Sequence, residues 1–203
     1  MMVEEGFVYE EETQLTVFKT SLFFANDGFT VYDCKGELVF RVDSYGPDSR
    51  DRVELVLMDG QGNCLLTVRR KRPSLHHRWE GFSGEKSGGQ KPIFSVRRSS
   101  IIGRSCVTVE MYENSSEEYH IDGNFGERCC SIFNGTKEPV AEIKRKVDAS
   151  TQVILGKDVF SLCLKPGFDA AFAMGLVLVL DQINCHDYAE ENGIEADPTN
   201  ADE

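Results

Sequence analysis

Four histidines, seven cysteines and one glycine-rich turn are the places where this 203-residue sequence has the side chains for acid–base, thiolate, metal or phosphate chemistry. His76 and His77 stand beside Arg78 and Trp79, the single tryptophan. An imidazole held by a carboxylate would serve as a general base, but adjacent strand residues diverge and no carboxylate has a diagnostic spacing. Trp79 is therefore expected in the core or at its rim, not as a substrate platform. The run from Gly84 to Lys91 approaches a phosphate loop, yet Gln90 follows Gly89 where lysine is required, so a flexible hairpin loop is expected. Ser83 misses the nucleophile-elbow pattern because Glu85 replaces its last glycine. Cysteines 34, 64, 106, 129, 130, 163 and 185 are odd in number and contain no Cys-x-x-Cys pair. They read as free thiols in a reducing compartment, with no metal site and no cofactor. No catalytic set emerges, and a non-enzymatic protein is expected.

Positive charge is the stronger signal. Residues 69–104 carry Arg69, Arg70, Lys71, Arg72, Arg78, Lys86, Lys91, Arg97, Arg98 and Arg104 against Glu80 and Glu85 alone. A second cluster is Lys144, Arg145 and Lys146. On an alternating strand Leu66 and Val68 share a face with Arg70, which sends Arg69 and Lys71 outward. The same alternation sends Lys144 and Lys146 outward and leaves Arg70 and Arg145 to lie at a barrel mouth or snorkel out. Clustered arginines suit bidentate recognition of phosphate. The competing reading is a solvated strand face with its charges paired to acids.

The elements that must position these residues are mostly strands. Short alternating apolar runs are split by turn clusters such as Asn26-Asp27-Gly28, Asp59-Gly60 and Asn134-Gly135. Strands are predicted near 15–20, 29–32, 37–42, 53–58, 64–70, 77–82, 93–97, 106–112, 118–122, 128–133, 139–146 and 159–165. About twelve strands in one domain must form a sandwich or close into a barrel, because long open edges invite aggregation. An internal repeat supports related hairpins. Val31-Tyr32-Asp33, Gly36 and Leu38 to Val42 recur as Leu57-Met58-Asp59, Gly62 and Cys64 to Val68. A third copy reads Ile132-Phe133-Asn134, a turn through Gly135, and Pro139 to Ile143. Unequal spacing between copies excludes a solenoid. Equivalent hairpins can also sit on opposite sides of a barrel, so the two basic clusters need not pool.

After Pro166-Gly167 the texture changes to Phe168-Asp169 followed by eleven uninterrupted apolar residues, Ala170–Leu180. Asp169 suits a helix N-cap or first turn, and the helix is predicted over about 168–185. Its apolar side chains, among them Phe172, Met174, Leu176, Leu178 and Leu180, run all round it, so it must be enclosed. The run is too short for a transmembrane span. Gly175 and the alanines keep the rod thin enough to fit inside a ring of strands.

The net charge of −12 comes from 34 acids against 22 Lys and Arg. Five acids lie in residues 1–12 and seven in 187–203; without them the body is neutral. That division predicts an acidic disordered tail at 1–12, one domain over 13–186 and a second acidic tail at 187–203. A neutral body argues against nucleic acid as a partner. The N-terminus has no basic start and no apolar stretch, so a cytoplasmic or nuclear protein is expected.

Four segments, VYDCKGELVFRV, LMDGQGNCLLTVRRKRPSLHHRWEGFSG, VAEIKRKV and GKDVFSLCLKPGFDAAFAMGLVLVLDQI, resemble in content and order the LURP-one-related family of plant proteins. That family is kin to tubby-like proteins and phospholipid scramblases. The resemblance covers about residues 15–186. It implies a twelve-stranded antiparallel β-barrel around a hydrophobic C-terminal helix, the architecture the strand count and helix pattern also favour. It further implies a connection to plant defence and, through tubby-like kinship, peripheral binding of anionic membrane lipids such as phosphoinositides. The candidate headgroup ligands are then Arg69, Lys71, Arg97, Lys144 and Lys146. A soluble protein-interaction module with protein partners and no lipid role is the alternative. No catalytic residues transfer, and without a spanning segment scramblase activity is the weakest reading.

Overall fold

The computed structural model describes residues 5–20, 28–45, 54–71, 78–85, 88–101, 104–112 and 117–191. Among these, twelve antiparallel strands form a closed barrel. They are β1 Thr13–Thr20, β2 Gly28–Tyr32, β3 Leu38–Tyr45, β4 Glu54–Asp59, β5 Cys64–Arg70, β6 Trp79–Ser83, β7 Phe94–Ile101, β8 Arg104–Met111, β9 Glu118–Asn124, β10 Cys129–Phe133, β11 Pro139–Arg145 and β12 Val159–Leu164. Each strand pairs with its neighbours in sequence, and β1 closes on β12 from Thr13↔Leu164 to Phe18↔Val159. Closure leaves no unpaired edge to template aggregation.

The lumen is filled by one helix, α1, Ala170–Glu191. Alternation delivers one apolar face of each strand to it, for example Phe29 and Val31, Leu66 and Val68, and Ala141 and Ile143, all buried. Asp169 caps α1: its Oδ1 accepts the Phe172 N–H at 2.9 Å and its carbonyl accepts the Ala173 N–H at 3.0 Å. Phe172, Met174, Leu176, Leu178 and Leu180 are all buried. A Cβ on Gly175 would stand 2.3 Å from Leu66 Cδ2, so a side chain there would force α1 off β5. The helix continues past the predicted end at 185 to Glu191. Trp79 is in the core with 1% exposure.

The repeat resolves into three copies of one turn. Asp33, Asp59 and Asn134 open it, donating their N–H to Glu37, Asn63 and Glu138 carbonyls, each at 3.0 Å. The Oδ1 of each opener accepts two backbone N–H groups, those of Lys35 and Glu37, Gln61 and Asn63, or Thr136 and Glu138. A register shift precedes each turn, at Val31/Tyr32, Leu57/Met58 and Ile132/Phe133. The left-handed position is Gly36 (φ 82°), Gly62 (φ 93°) and, in the third copy, Lys137 (φ 63°). The third copy turns through Gly135, as the sequence alignment has it, and Lys137 takes the left-handed position that glycine holds in the other two.

Residues 5–12 are also corrected. They were expected in a disordered tail but lie against the barrel end where α1 enters. Glu5–Phe7 forms a 3-10 turn, Phe7 stacks on Phe40 at 4.8 Å between centroids, and Val8 bridges Asp169. Gly167 N–H donates to Tyr9 O at 2.8 Å, and Lys165 pairs with Glu12 at 2.9 Å. Apolar Phe7, Val8 and Tyr9 seal the entry end, and the acids flank them. At the C-terminus residues 187–191, assigned to the second tail, belong to α1. Residues 1–4 and 192–203 lie outside the described residues.

At the exit end Lys19 Nζ donates to both oxygens of buried Asp181, at 2.8 and 3.0 Å. Arg128 is clamped between the Phe125 and Phe160 rings, its guanidinium carbon 4.2 and 4.4 Å from their centroids. Its Nε donates to the Lys157 carbonyl at 2.8 Å. Burial lowers its pKa.

Candidate functional site

The first basic cluster sits on the outer face of β5 to β8. Register places Arg69 between Glu54 and Glu80, and places Ser95 between Glu80 and Glu110. Lys71 pairs with Glu80 at 2.8 Å, Arg78 with Glu110 at 3.0 Å and Arg97 with Glu110 at 3.2 Å. The hydrogen bond that Lys71 donates to Glu80 raises the Lys71 pKa. Acids from neighbouring strands thus interleave with the cations, and only Arg69 among Arg69, Lys71 and Arg97 has no ion pair among the described residues. Arg70 lies opposite Trp79 and Arg98 opposite Val107, on the inward face. His76 and His77 lie outside the described residues.

The second cluster lies on the far wall. Counted around the closed order, β11 is six strands from β5 in either direction, so Lys144 and Lys146 face away from Arg69, Lys71 and Arg97. Lys144 pairs with Glu142, whose hydrogen bond raises the Lys144 pKa. Lys146 Nζ donates to Thr16 Oγ1 at 3.0 Å and meets no carboxylate among the described residues. Arg145 donates to the Leu155 carbonyl at 3.2 Å. Thr16 belongs to a groove of about 750 Å³ between β1 and β2, lined also by Phe18, Thr30, Tyr32 and the Asp33 to Gly36 turn. Phe18 and Tyr32 meet edge to face at 5.6 Å. This groove was missed in the sequence because alternating Thr16/Phe18 and Thr30/Tyr32 read as the polar side of strands whose core side is Leu15/Val17 and Phe29/Val31.

None of the seven cysteines is in a disulfide. Burial pushes the Cys130 thiol up to about 12, so it is inert at neutral pH, whereas its neighbour Cys129 is exposed. Among the described residues no three His, Cys, Asp or Glu side chains are gathered as a metal would need. No helix among them is long and apolar enough to cross a membrane.

Comparison with known proteins places this architecture. The LURP-one-related family model matches residues 13–181, the barrel and most of the enclosed helix. The chain belongs to the LURP-one-related family. Protein LURP-one-related 12 of Arabidopsis thaliana is 65% identical over 190 residues, covering 94% of this chain and 86% of the relative. Protein LURP-one-related 5 of the same plant is 64% identical over 205 residues, covering 100% and 98%. A crystal structure of another Arabidopsis thaliana protein superposes with a TM-score of 0.66 at 22% identity, over 91% of this chain and 98% of that one. That last likeness concerns the fold alone. The LURP-one-related barrel thus carries its two groups of cations on opposite walls, and the β11–β12–β1 wall joins a cation to an apolar groove.

Proposed function

We propose that this LURP-one-related protein is a non-enzymatic module that docks peripherally on anionic phospholipid surfaces, phosphoinositide headgroups included, through the β11–β12–β1 wall. The observation that carries this reading is Lys146. It is a cation held in place by a neutral hydroxyl and, among the described residues, left without a carboxylate, at the rim of a groove lined by Phe18 and Tyr32. A charge presented without an acidic partner is available to a phosphate, whereas Lys71 and Arg97 would first have to give up Glu80 and Glu110. The protein would then divide between a cytoplasmic or nuclear pool and a membrane-bound fraction, and the plant-defence connection would be the setting in which it acts. The test is flotation with phosphatidylcholine vesicles carrying roughly one part in five of phosphatidylserine or a phosphoinositide. Retention is expected at about 50 mM salt and its loss at about 500 mM, where screening shortens the reach of exposed charge. No retention at low salt would refute the reading.

The groove also favours a second reading, a soluble protein-interaction module. An extended peptide with an aromatic or aliphatic side chain and an acid would fit between Phe18, Tyr32, Lys35 and Lys146. Binding of such peptides by a protein that ignores vesicles would select it.

A further inference from the structure

Three of the exposed large apolar side chains among the described residues, the two most exposed included, are gathered on one hairpin. Val147, Val153 and Ile154, which connect β11 to β12, are 45%, 57% and 56% exposed. The hairpin is built to hold them out. Leu155 N–H donates to the Lys146 carbonyl at 2.8 Å, and Asp148 N–H donates to the Val153 carbonyl at 2.9 Å. Val147 and Ile154 pair across it. At the tip Asp148 Oδ1 accepts the N–H and hydroxyl of both Ser150 and Thr151. Those four donors hold its carboxyl far below the usual range. The tip is therefore a preformed turn, and it holds its aliphatic residues in water.

The surroundings specify an occupant. Lys144, Arg145 and Lys146 lead directly into the hairpin, and Lys157 follows it. Phe18, the large side chain opposite Val159 on β1, is exposed on the same wall. Aliphatic residues at a protruding tip with cations one turn behind match the two layers of an anionic bilayer, acyl chains below and phosphates above. A soluble protein partner would need a rim of satisfied polar groups around the tip, whereas the side chain of Asp148 is already spent on Ser150 and Thr151.

We propose that the 147–154 hairpin is a membrane-insertion loop, which seats Val147, Val153 and Ile154 at the headgroup–acyl boundary while Arg145 and Lys146 meet lipid phosphates. This rests on the anionic-surface reading above and adds to it a depth and an orientation: the β11–β12–β1 wall faces the bilayer, tilted so that its edge at the end where α1 exits goes deepest.

Vesicle binding by the full chain tests it with two variants. Val153→Asp with Ile154→Asp should lower partitioning into phosphatidylserine-containing vesicles by about tenfold or more, since two apolar side chains become charges at the boundary. Both sites are solvent-exposed, so the fold should survive, and an unchanged melting temperature checks that. Val153→Trp should give an emission that shifts to the blue on vesicle addition and is quenched by brominated acyl chains; native Trp79 is buried and supplies a constant background. Full binding by the double Asp variant, with no shift in the Trp variant, would overturn insertion and leave headgroup binding standing. Failure of the parent protein to bind anionic vesicles would overturn both. A concentration-dependent dimer abolished by the Asp pair would give the hairpin to a second copy and overturn the proposal.

Discussion

Replacing Gly175 by alanine tests the enclosed helix at its tightest point, because two effects of opposite sign compete there. In an exposed helix the change would stabilise by ~1 kcal/mol, alanine being the better helix former. In this barrel the new Cβ would stand 2.3 Å from Leu66 Cδ2 and 3.8 Å from Phe94 Cζ. Carbon atoms rest at roughly 3.5–4.0 Å, so Leu66 must retreat by more than an ångström or α1 must shift away from β5. Leu66 is completely buried, so either movement must displace close-packed neighbours. Overpacking of this kind costs ~1–3 kcal/mol and should outweigh the helix gain, for a net loss of ~1–2 kcal/mol. Urea denaturation of Gly175→Ala should show a lower midpoint with an unchanged slope, and the melting temperature should fall by about 2–6 °C. A cycle with Leu66→Ala isolates the contact. Leu66→Ala alone should cost ~2–5 kcal/mol, and the double variant should recover at least ~1 kcal/mol relative to the sum. A raised midpoint for Gly175→Ala, or additive losses in the cycle, would refute the reasoning.

Lys137→Gly should stabilise the barrel by ~0.5–1 kcal/mol, measured by the same urea titration, because Lys137 holds the left-handed position that Gly36 and Gly62 occupy in the other two turns. Deleting residues 1–9 should lower the melting temperature by several degrees through loss of the Phe7, Val8 and Tyr9 seal; an unchanged value would return this segment to the status of a tail. Thiol titration with a disulfide reagent at pH 8 should modify Cys34, Cys129 and Cys185 in the native protein. Cys130, with its thiol pushed up to about 12 by burial, should react only on unfolding.

The barrel was legible because its two signals are local. Period-two alternation marks strands wherever one face is buried, and the eleven-residue apolar run from Ala170 can be accommodated in few ways. Asp169 as helix cap and Gly175 as a thinning residue followed from the same run. The three turns were readable from Asp or Asn and Gly spacing, but that Lys137 holds the left-handed position of the third is invisible in a letter code. Residues 5–12 were misread because composition counts acids and ignores that Phe7 and Tyr9 can reach a lumen mouth. The site was least legible. Outward placement of Lys71 and Lys144 follows from alternation, but their Glu80 and Glu142 partners and the opposition of the two walls depend on register and closure. The groove between Phe18 and Tyr32 needs β1 and β2 side by side, which no spacing announces.

The measurement that bears most directly on the proposed membrane role is a charge reversal carried out separately on the two walls, read by flotation with phosphatidylserine-containing vesicles at low salt. With each basic residue near an anionic surface worth ~1 kcal/mol, Lys144→Glu with Lys146→Glu should reduce binding at least about tenfold. Arg69→Glu with Lys71→Glu, on the opposite wall, should change it by less than about threefold, because that wall would face away from the bilayer. Equal losses from the two pairs, or the larger loss from Arg69 and Lys71, would contradict docking through the β11–β12–β1 wall.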